Sequence, residues 1–267
     1  MLKFLKLNKK GKNLKIFKNK LFIIMLLIVI ILSSKTRRKE IYKKYISLTR
    51  EKPEKCWLHK TNNLEKLKKF INEYPGIEID IHYNLEKNFY DVTHEVKDSK
   101  NLSLEEYFKI LEKTKIMIWL DLKNLNHENL ILSKNLLDEL LRTYNINKSR
   151  IILESPEYKL LKEYKNIFKN YYLVYYDDFF YKTDKLDKIT QKEWQIWQEN
   201  ILKIAHSKDV NAISFPIEMY DYISQLNLKI DLLTWIPNKE WELLYKNKLT
   251  KKVLEDERIK IILVKDE

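Results

Sequence analysis

From residue 56 onward, short apolar runs alternate with longer stretches in which apolar positions recur at helical spacing. The short runs are rich in Ile, Val, Leu and aromatic residues and predict strands at Cys56–His59, Ile77–Tyr83, Phe89–Thr93, Ile116–Leu122, Ile151–Leu153, Tyr171–Tyr176, Ala212–Phe215, Ile230–Trp235 and Ile259–Val264. The longer stretches predict helices at Asn63–Glu73, Leu104–Lys113, Glu128–Tyr144, Glu157–Phe168, Lys192–His206, Ile217–Leu226 and Asn238–Asn247. Apolar strands separated by amphipathic helices imply a mainly parallel sheet covered by helices. The number of repeats favours closure into a TIM-type (β/α)8 barrel over residues 55–267.

The chain has 267 residues, enough for one barrel and short for two independent domains. It contains two glycines, Gly11 and Gly76, which excludes a Walker loop and a dinucleotide fingerprint. Cys56 is the single cysteine, so no intrachain disulfide can form, and its place beside Trp57 at a strand start suits the core.

Net charge is +13, but it is unevenly spread. Residues 1–60 carry 18 Lys/Arg against 3 Asp/Glu, while residues 61–267 carry 33 against 35. The basic excess therefore belongs to the N-terminal segment. Residues 1–20 hold eight lysines and no acid; twelve unbroken apolar residues, Leu21–Leu32, follow, and then Ser33-Ser34 and the basic run Lys35–Lys39. A basic strip beside an apolar run suits an anionic membrane surface, and the apolar interruption argues against nucleic-acid binding. Twelve helical residues span ~18 Å, less than the ~30 Å hydrocarbon core, though Lys20 and Lys35 can snorkel. Residues 21–34 are thus expected to form an uncleaved single-pass anchor, the alternative being a signal peptide, with 35–54 as linker and the barrel on the extracytoplasmic side.

The densest chemical signal is Gly76-Ile77-Glu78-Ile79-Asp80-Ile81-His82. Strand alternation puts Glu78, Asp80 and His82 on one face and the three isoleucines on the other. Two adjacent carboxylates repel unless protons or a cation intervene, and hard oxygen donors suit Ca²⁺ or Mg²⁺. The alternative is an exposed edge strand with solvated charges. His59 follows the first strand, His94 the third, and Asp121 and Lys123 alternate at the end of the fourth. Polar residues at successive strand ends are where a barrel assembles a site, and this set suggests a metal-assisted acid–base centre.

In order and spacing, His59-Lys60, Gly76-x-Glu78-x-Asp80, His94-Glu95 and Leu120-Asp121-Leu122-Lys123 resemble the motifs of glycerophosphodiester phosphodiesterases: His-Arg, Glu-x-Asp, His-Asp and Glu-x-Lys. Ile151–Pro156 resembles the next strand end, Leu233–Asn238 the family's Trp-Thr-x-Asn strand, and Ile261–Asp266 its terminal Ile-Thr-Asp strand. Lys60 replaces an Arg, turning a two-pronged contact into a point charge, and Asp121 is one methylene shorter than the usual Glu. The brief stretch between His94 and Asp121, with His59-x-x-Asn62 and Asn101–Glu106, is also similar to the menorin family, which shares the phospholipase-like barrel.

The resemblance implies phosphodiester hydrolysis on a glycerophosphodiester or lipid-headgroup-like substrate. It implies one divalent cation, Ca²⁺ or Mg²⁺, on Glu78, Asp80 and Asp121. It assigns acid–base work to His59 and His94, and phosphate binding to Lys60 and Lys123. The second reading is an inactive barrel that binds a phosphorylated or lipid ligand, or a protein partner, at the membrane. His82 reads as a structural strand-end residue and Glu154 as a candidate for the pocket wall. His127 and His206 read as surface residues, and Trp194 with Trp197 as a packing stripe.

Overall fold

A computed structural model describes residues 51–167, 172–176, 189–236 and 243–265. The basic segment, the expected anchor at 21–34 and most of the linker lie outside the described residues. No helix among the described residues is long and apolar enough to cross a membrane.

In chain order the elements are β1 (Cys56–Leu58), α1 (Leu64–Phe70), β2 (Gly76–Asn84), β3 (Phe89–Val92), α2 (Leu104–Leu111), β4 (Met117–Leu122), α3 (Leu130–Thr143), β5 (Ile151–Ser155), α4 (Tyr158–Ile167), β6 (Tyr172–Tyr176), α5 (Gln191–Ser207), β7 (Ala212–Pro216), α6 (Tyr220–Ile223), β8 (Asp231–Trp235), α7 (Leu243–Glu255) and β9 (Ile259–Val264). Eight parallel strands run β1-β2-β4-β5-β6-β7-β8-β9, and the β1–β9 and β1–β2 pairings close them into a barrel. β3 lies outside this ring, pairing antiparallel with the far end of β2 from Ile81 to Asn84.

All nine expected strands are present. Two expected helices differ. The stretch 217–226 forms a 3₁₀ turn at Ile217–Met219 followed by the short α6, entered from Pro216, which lacks an amide hydrogen. Of the helix expected at Asn238–Asn247, residues 238–242 lie outside the described residues; from Leu243 the helix runs on past Asn247 to Glu255, because Leu249, Val253 and Leu254 supply a buried stripe.

Helix starts follow local chemistry. Ser103 and Thr190 each close a capping box, with Glu106 and Glu193 reaching back. Asn63 accepts from the Lys66 amide at 2.7 Å. With few glycines available, the described left-handed positions fall on Asn88, Asn101 and Asn145, and also on Lys60 and Lys208.

Strand parity sorts the core. Ile77, Ile79, Ile81, Ile118, Leu120, Ile151 and Leu153 face outward against α1 to α4. Ile213, Phe215, Leu232, Ile259 and Ile262 face outward against α5 to α7. Trp197 is buried with them and meets Trp194 edge-on at 5.5 Å, as expected of a packing stripe. The inward set, Trp57, Trp119, Ile152, Val174, Ala212, Leu233 and Ile261, fills the barrel interior. Gly76 fits here by size: a Cβ at 76 would lie 2.2 Å from the Trp57 ring. Cys56 is buried and its thiol is pushed up to about 12 by burial, as suits a core cysteine.

Candidate active site

Above the apolar plug, the same inward parity turns polar. The β2–β4–β5 register aligns Asp80 with Asp121 and Asp121 with Glu154, so three carboxyl groups share one level. Glu78 lies one inward position earlier on β2. Glu78 and Asp80 are each 1% exposed, which overturns the edge-strand alternative. Oxygens of Glu78, Asp80 and Asp121 all lie within 4.8 Å of one another.

Each carboxyl is held by named groups. Glu78 Oε2 accepts from the Lys60 amide at 2.6 Å. Lys60 adopts a left-handed backbone, φ 52°, an unusual conformation for a residue with a Cβ. Its neighbour Thr61 donates its amide to the Glu78 carbonyl at 2.9 Å, so the β1 exit loop is laced to β2. Asn62 clamps Asp80 from two sides: its Nδ2 donates to Oδ2 at 2.6 Å and its Oδ1 accepts from the Asp80 amide at 3.0 Å. The Lys123 ammonium lies 2.9 Å from Asp80 Oδ1 and also pairs closely with Asp121. Glu154 Oε2 accepts from the Trp119 indole at 2.9 Å, and its Oε1 accepts a short hydrogen bond from Ser214.

The electrostatics follow from this crowding. Burial raises the Glu78 carboxyl well above the ordinary range, and the charges of Asp80 and Asp121 raise it further. Burial also raises Glu154 well above that range, with Asp121 adding to it. Asp121 is raised by burial, against the pull of Lys123. Burial also opposes ionisation of Asp80, but Lys123 and the Asn62 hydrogen bond outweigh it and hold the group low. Burial works against the Lys123 ammonium, and Asp121, Asp80 and Glu78 more than compensate.

A divalent cation fits this donor set. Three buried carboxylates converge within bonding reach of one point, and Asp121 Oδ1 is buried without a hydrogen-bond partner. A single ammonium leaves Glu78 and Asp121 shifted toward their neutral forms, whereas a doubly charged ion would let them ionise.

The carboxylates floor a cavity of about 540 Å³, whose wall includes His59, Lys60, His94, Tyr176, Trp235 and Lys265. His59 is 8% exposed, with Nε2 3.9 Å from Glu78 Oε2. Burial, then Lys265 and Lys60, keep its ring neutral well below the ordinary histidine range. His94 is half-exposed at the mouth, its Nδ1 3.2 Å from Glu95 Oε1. Burial lowers it more modestly, with Asp80 pulling the other way. His82 also reaches the cavity, but its Nε2 lies 3.2 Å from the His94 carbonyl, a contact that orders the loop after β3.

The structure thus gathers all seven expected residues, His59, Lys60, Glu78, Asp80, His94, Asp121 and Lys123, around one cavity. Glu154 joins them, while His127 and His206 are exposed. The clamping role of Asn62 was not read from the sequence, nor was the place of Tyr176 and Lys265 in the wall. Strand parity is the signal that finds the last two, since each lies two residues beyond an inward neighbour, Val174 and Leu263.

No protein-family model matches the chain, and no curated protein does. Solved structures do match. A glycerophosphodiester phosphodiesterase from Parabacteroides distasonis aligns at 13% identity and TM-score 0.54, covering 78% of this chain and 91% of its own. The fold is that of the glycerophosphodiester phosphodiesterases. A Galdieria sulphuraria protein described as a member of that family aligns at 15% identity and TM-score 0.54, over 78% and 92% of the two chains. An Oleispira antarctica phosphodiesterase, in complex with the product sn-glycerol-3-phosphate, aligns at 11% identity and TM-score 0.52 over the same shares. At such identities the shared property is the glycerophosphodiester phosphodiesterase barrel itself.

Proposed function

We propose that the chain is a divalent-cation-dependent phosphodiesterase acting on a glycerophosphodiester or lipid-headgroup-like substrate. The observation that carries this reading is the convergence of Glu78, Asp80 and Asp121 in one cavity with His59, His94, Lys60 and Lys123. The glycerophosphodiester phosphodiesterase barrel and the glycerol phosphate bound by the Oleispira antarctica protein support it.

Glu78, Asp80 and Asp121 would hold one Ca²⁺ or Mg²⁺. When bound, the ion supplies Lewis-acid stabilisation of charge growing on the phosphoryl oxygens. Asn62 fixes the Asp80 rotamer, and the Lys60 amide orients Glu78. Lys60 and Lys123 add positive charge around the phosphate. His59, buried and neutral, takes the proton of the attacking hydroxyl; where the substrate itself supplies that hydroxyl, the cyclic phosphodiester it forms is then opened by water with the two histidines exchanging roles. His94, at the open side of the mouth, donates a proton to the departing oxygen as the phosphorus–oxygen bond breaks. The N-terminal segment would hold this barrel at a membrane through residues 21–34.

The test is turnover of a phosphodiester panel with and without chelator, using the full chain. His59→Ala and His94→Ala should each lower turnover by ~10²-fold or more, a typical general acid–base contribution. Both variants should keep cation-induced thermal stabilisation. Wild-type turnover in both variants would sink the assignment.

One observation favours a second reading, a binding barrel without turnover. Lys123 already pairs with Asp80 and Asp121, so these two carboxylates have a counter-charge supplied by the chain. Ligand binding with no hydrolysis of any phosphodiester would select that reading.

A further inference from the structure

Lys265 follows directly on β9 and lines the cavity. β9 pairs with β1, with Val264 opposite Leu58, and the His59 amide donates to the Val264 carbonyl at 2.8 Å. Lys60 and Lys265 therefore leave adjacent strand ends on the same side of the mouth, and both line the cavity. Lys123 leaves β4, whose sheet neighbours are β2 and β5.

The three lysines differ in their partners. Lys123 has two carboxylates within ion-pair distance. Among the described residues, neither Lys60 nor Lys265 pairs with one. Lys66 lies beside them and donates its ammonium to the carbonyls of His59 and Lys60, at 2.7 and 3.2 Å, which adds positive charge to the same rim. Partial burial and then the repulsion of Lys60 and Lys66 make the Lys265 ammonium easier to deprotonate, the condition an arriving anion relieves.

A charge count turns this into a ligand. A divalent ion and Lys123 would face the three carboxylates of Glu78, Asp80 and Asp121, Glu154 is held by the Trp119 indole and the Ser214 hydroxyl, and Glu95 of the wall lies against His94. A phosphodiester brings one negative charge, yet Lys60 and Lys265 offer two positive ones. One cation is left over, on the β1–β9 side. We propose that Lys265, next to Lys60, forms a second anion subsite, so that the preferred substrate is a phosphodiester carrying a further phosphate or carboxylate on its glycerol-like part. This rests on the phosphodiesterase reading of the site, and it assigns a substrate class within that reading.

Binding measures it without requiring turnover. Titration calorimetry on the full chain, saturated with Mg²⁺ at constant ionic strength, would compare glycerol 3-phosphate, 3-phosphoglycerate and glycerol 1,3-bisphosphate. The wild type should bind at least one of the two ligands that carry a second anionic group about fivefold or more tightly than glycerol 3-phosphate, the size expected of one partly screened charge contact. The preferred ligand identifies the second group as carboxylate or phosphate. Lys265→Gln and Lys265→Thr should erase the preference while leaving glycerol 3-phosphate within about twofold, and Lys265→Arg should restore it. No preference in the wild type, or one that survives both neutral variants, overturns the subsite. An intact preference with no hydrolysis of any phosphodiester would sink the enzymatic reading alone. A wild type that binds none of the three would sink both.

Discussion

Lys123→Met tests whether the carboxylate cluster is built around positive charge. The Lys123 ammonium pairs with Asp80, 1% exposed, and with Asp121, while its own side chain is 25% exposed. Methionine keeps much of the side-chain bulk but leaves Asp80 with the Asn62 amide as its remaining described side-chain donor. Removing one partner of a buried pair costs about 3–5 kcal/mol, because the charge left behind is neither solvated nor matched. For a domain of this size 1 kcal/mol moves the midpoint by roughly 2–4 °C, so in chelator the variant should melt about 6–20 °C below wild type. Adding Mg²⁺ or Ca²⁺ should then raise the variant more than wild type, since the ion no longer competes with an ammonium for the same oxygens. Thermal unfolding followed by circular dichroism, at constant ionic strength, reads both effects. Lys109→Met is the control: its pair with Glu105 is solvent-exposed, so the midpoint should stay near wild type. A Lys123→Met midpoint within about 2 °C of wild type in chelator, or a cation response no larger than wild type's, would refute the reasoning.

Three further outcomes follow from particular contacts. Gly76→Ala should destabilise by about 1–3 kcal/mol in denaturant titration, since its methyl group would meet the Trp57 ring at 2.2 Å; Gly76→Ala with Trp57→Leu should recover part of that loss. Glu154→Gln should be near neutral, because a carboxamide can accept from the Trp119 indole and donate to Ser214, whose own hydroxyl can turn to the Tyr175 carbonyl 3.4 Å away. Glu154→Leu strands both donors and should cost about 2–4 kcal/mol by the same titration. Asp256 is held down to about 2, from an ordinary 3.8, chiefly by hydrogen bonds from Arg258, with Tyr220 also donating at 2.9 Å. Its stabilisation is therefore full above pH ~4 and fades as the pH falls through 2, so Asp256→Asn should melt below wild type at pH 7 and approach it near pH 2. A gap that does not narrow would show that the charge is not what matters there.

The strands and the inward face of β2 were legible because both rest on local alternation. Ile77, Ile79 and Ile81 read as one face and Glu78, Asp80 and His82 as the other, and burial on both faces leaves no freedom to slip the register. The caps also rest on local spacing, Ser103 with Glu106 and Thr190 with Glu193 each three residues apart. What local pattern cannot carry is which partner a polar side chain chooses across the barrel. Asn62 looks like loop chemistry until β1 closes onto β2 and brings it against Asp80, eighteen positions away. Glu154 looks like a strand-end carboxylate until Trp119 and Ser214, on β4 and β7, meet it inside the ring. Lys265 sits just past the last strand in the sequence, and it acquires a place in the cavity only because β9 returns beside β1. In each case closure of the barrel supplies the missing neighbour. Parity can nominate such residues in advance, since a polar side chain two positions past an inward apolar one must face the mouth. The partner it finds there depends on strand order, which makes the polar ends of closing strands the positions to test first in a barrel with so little sequence kinship.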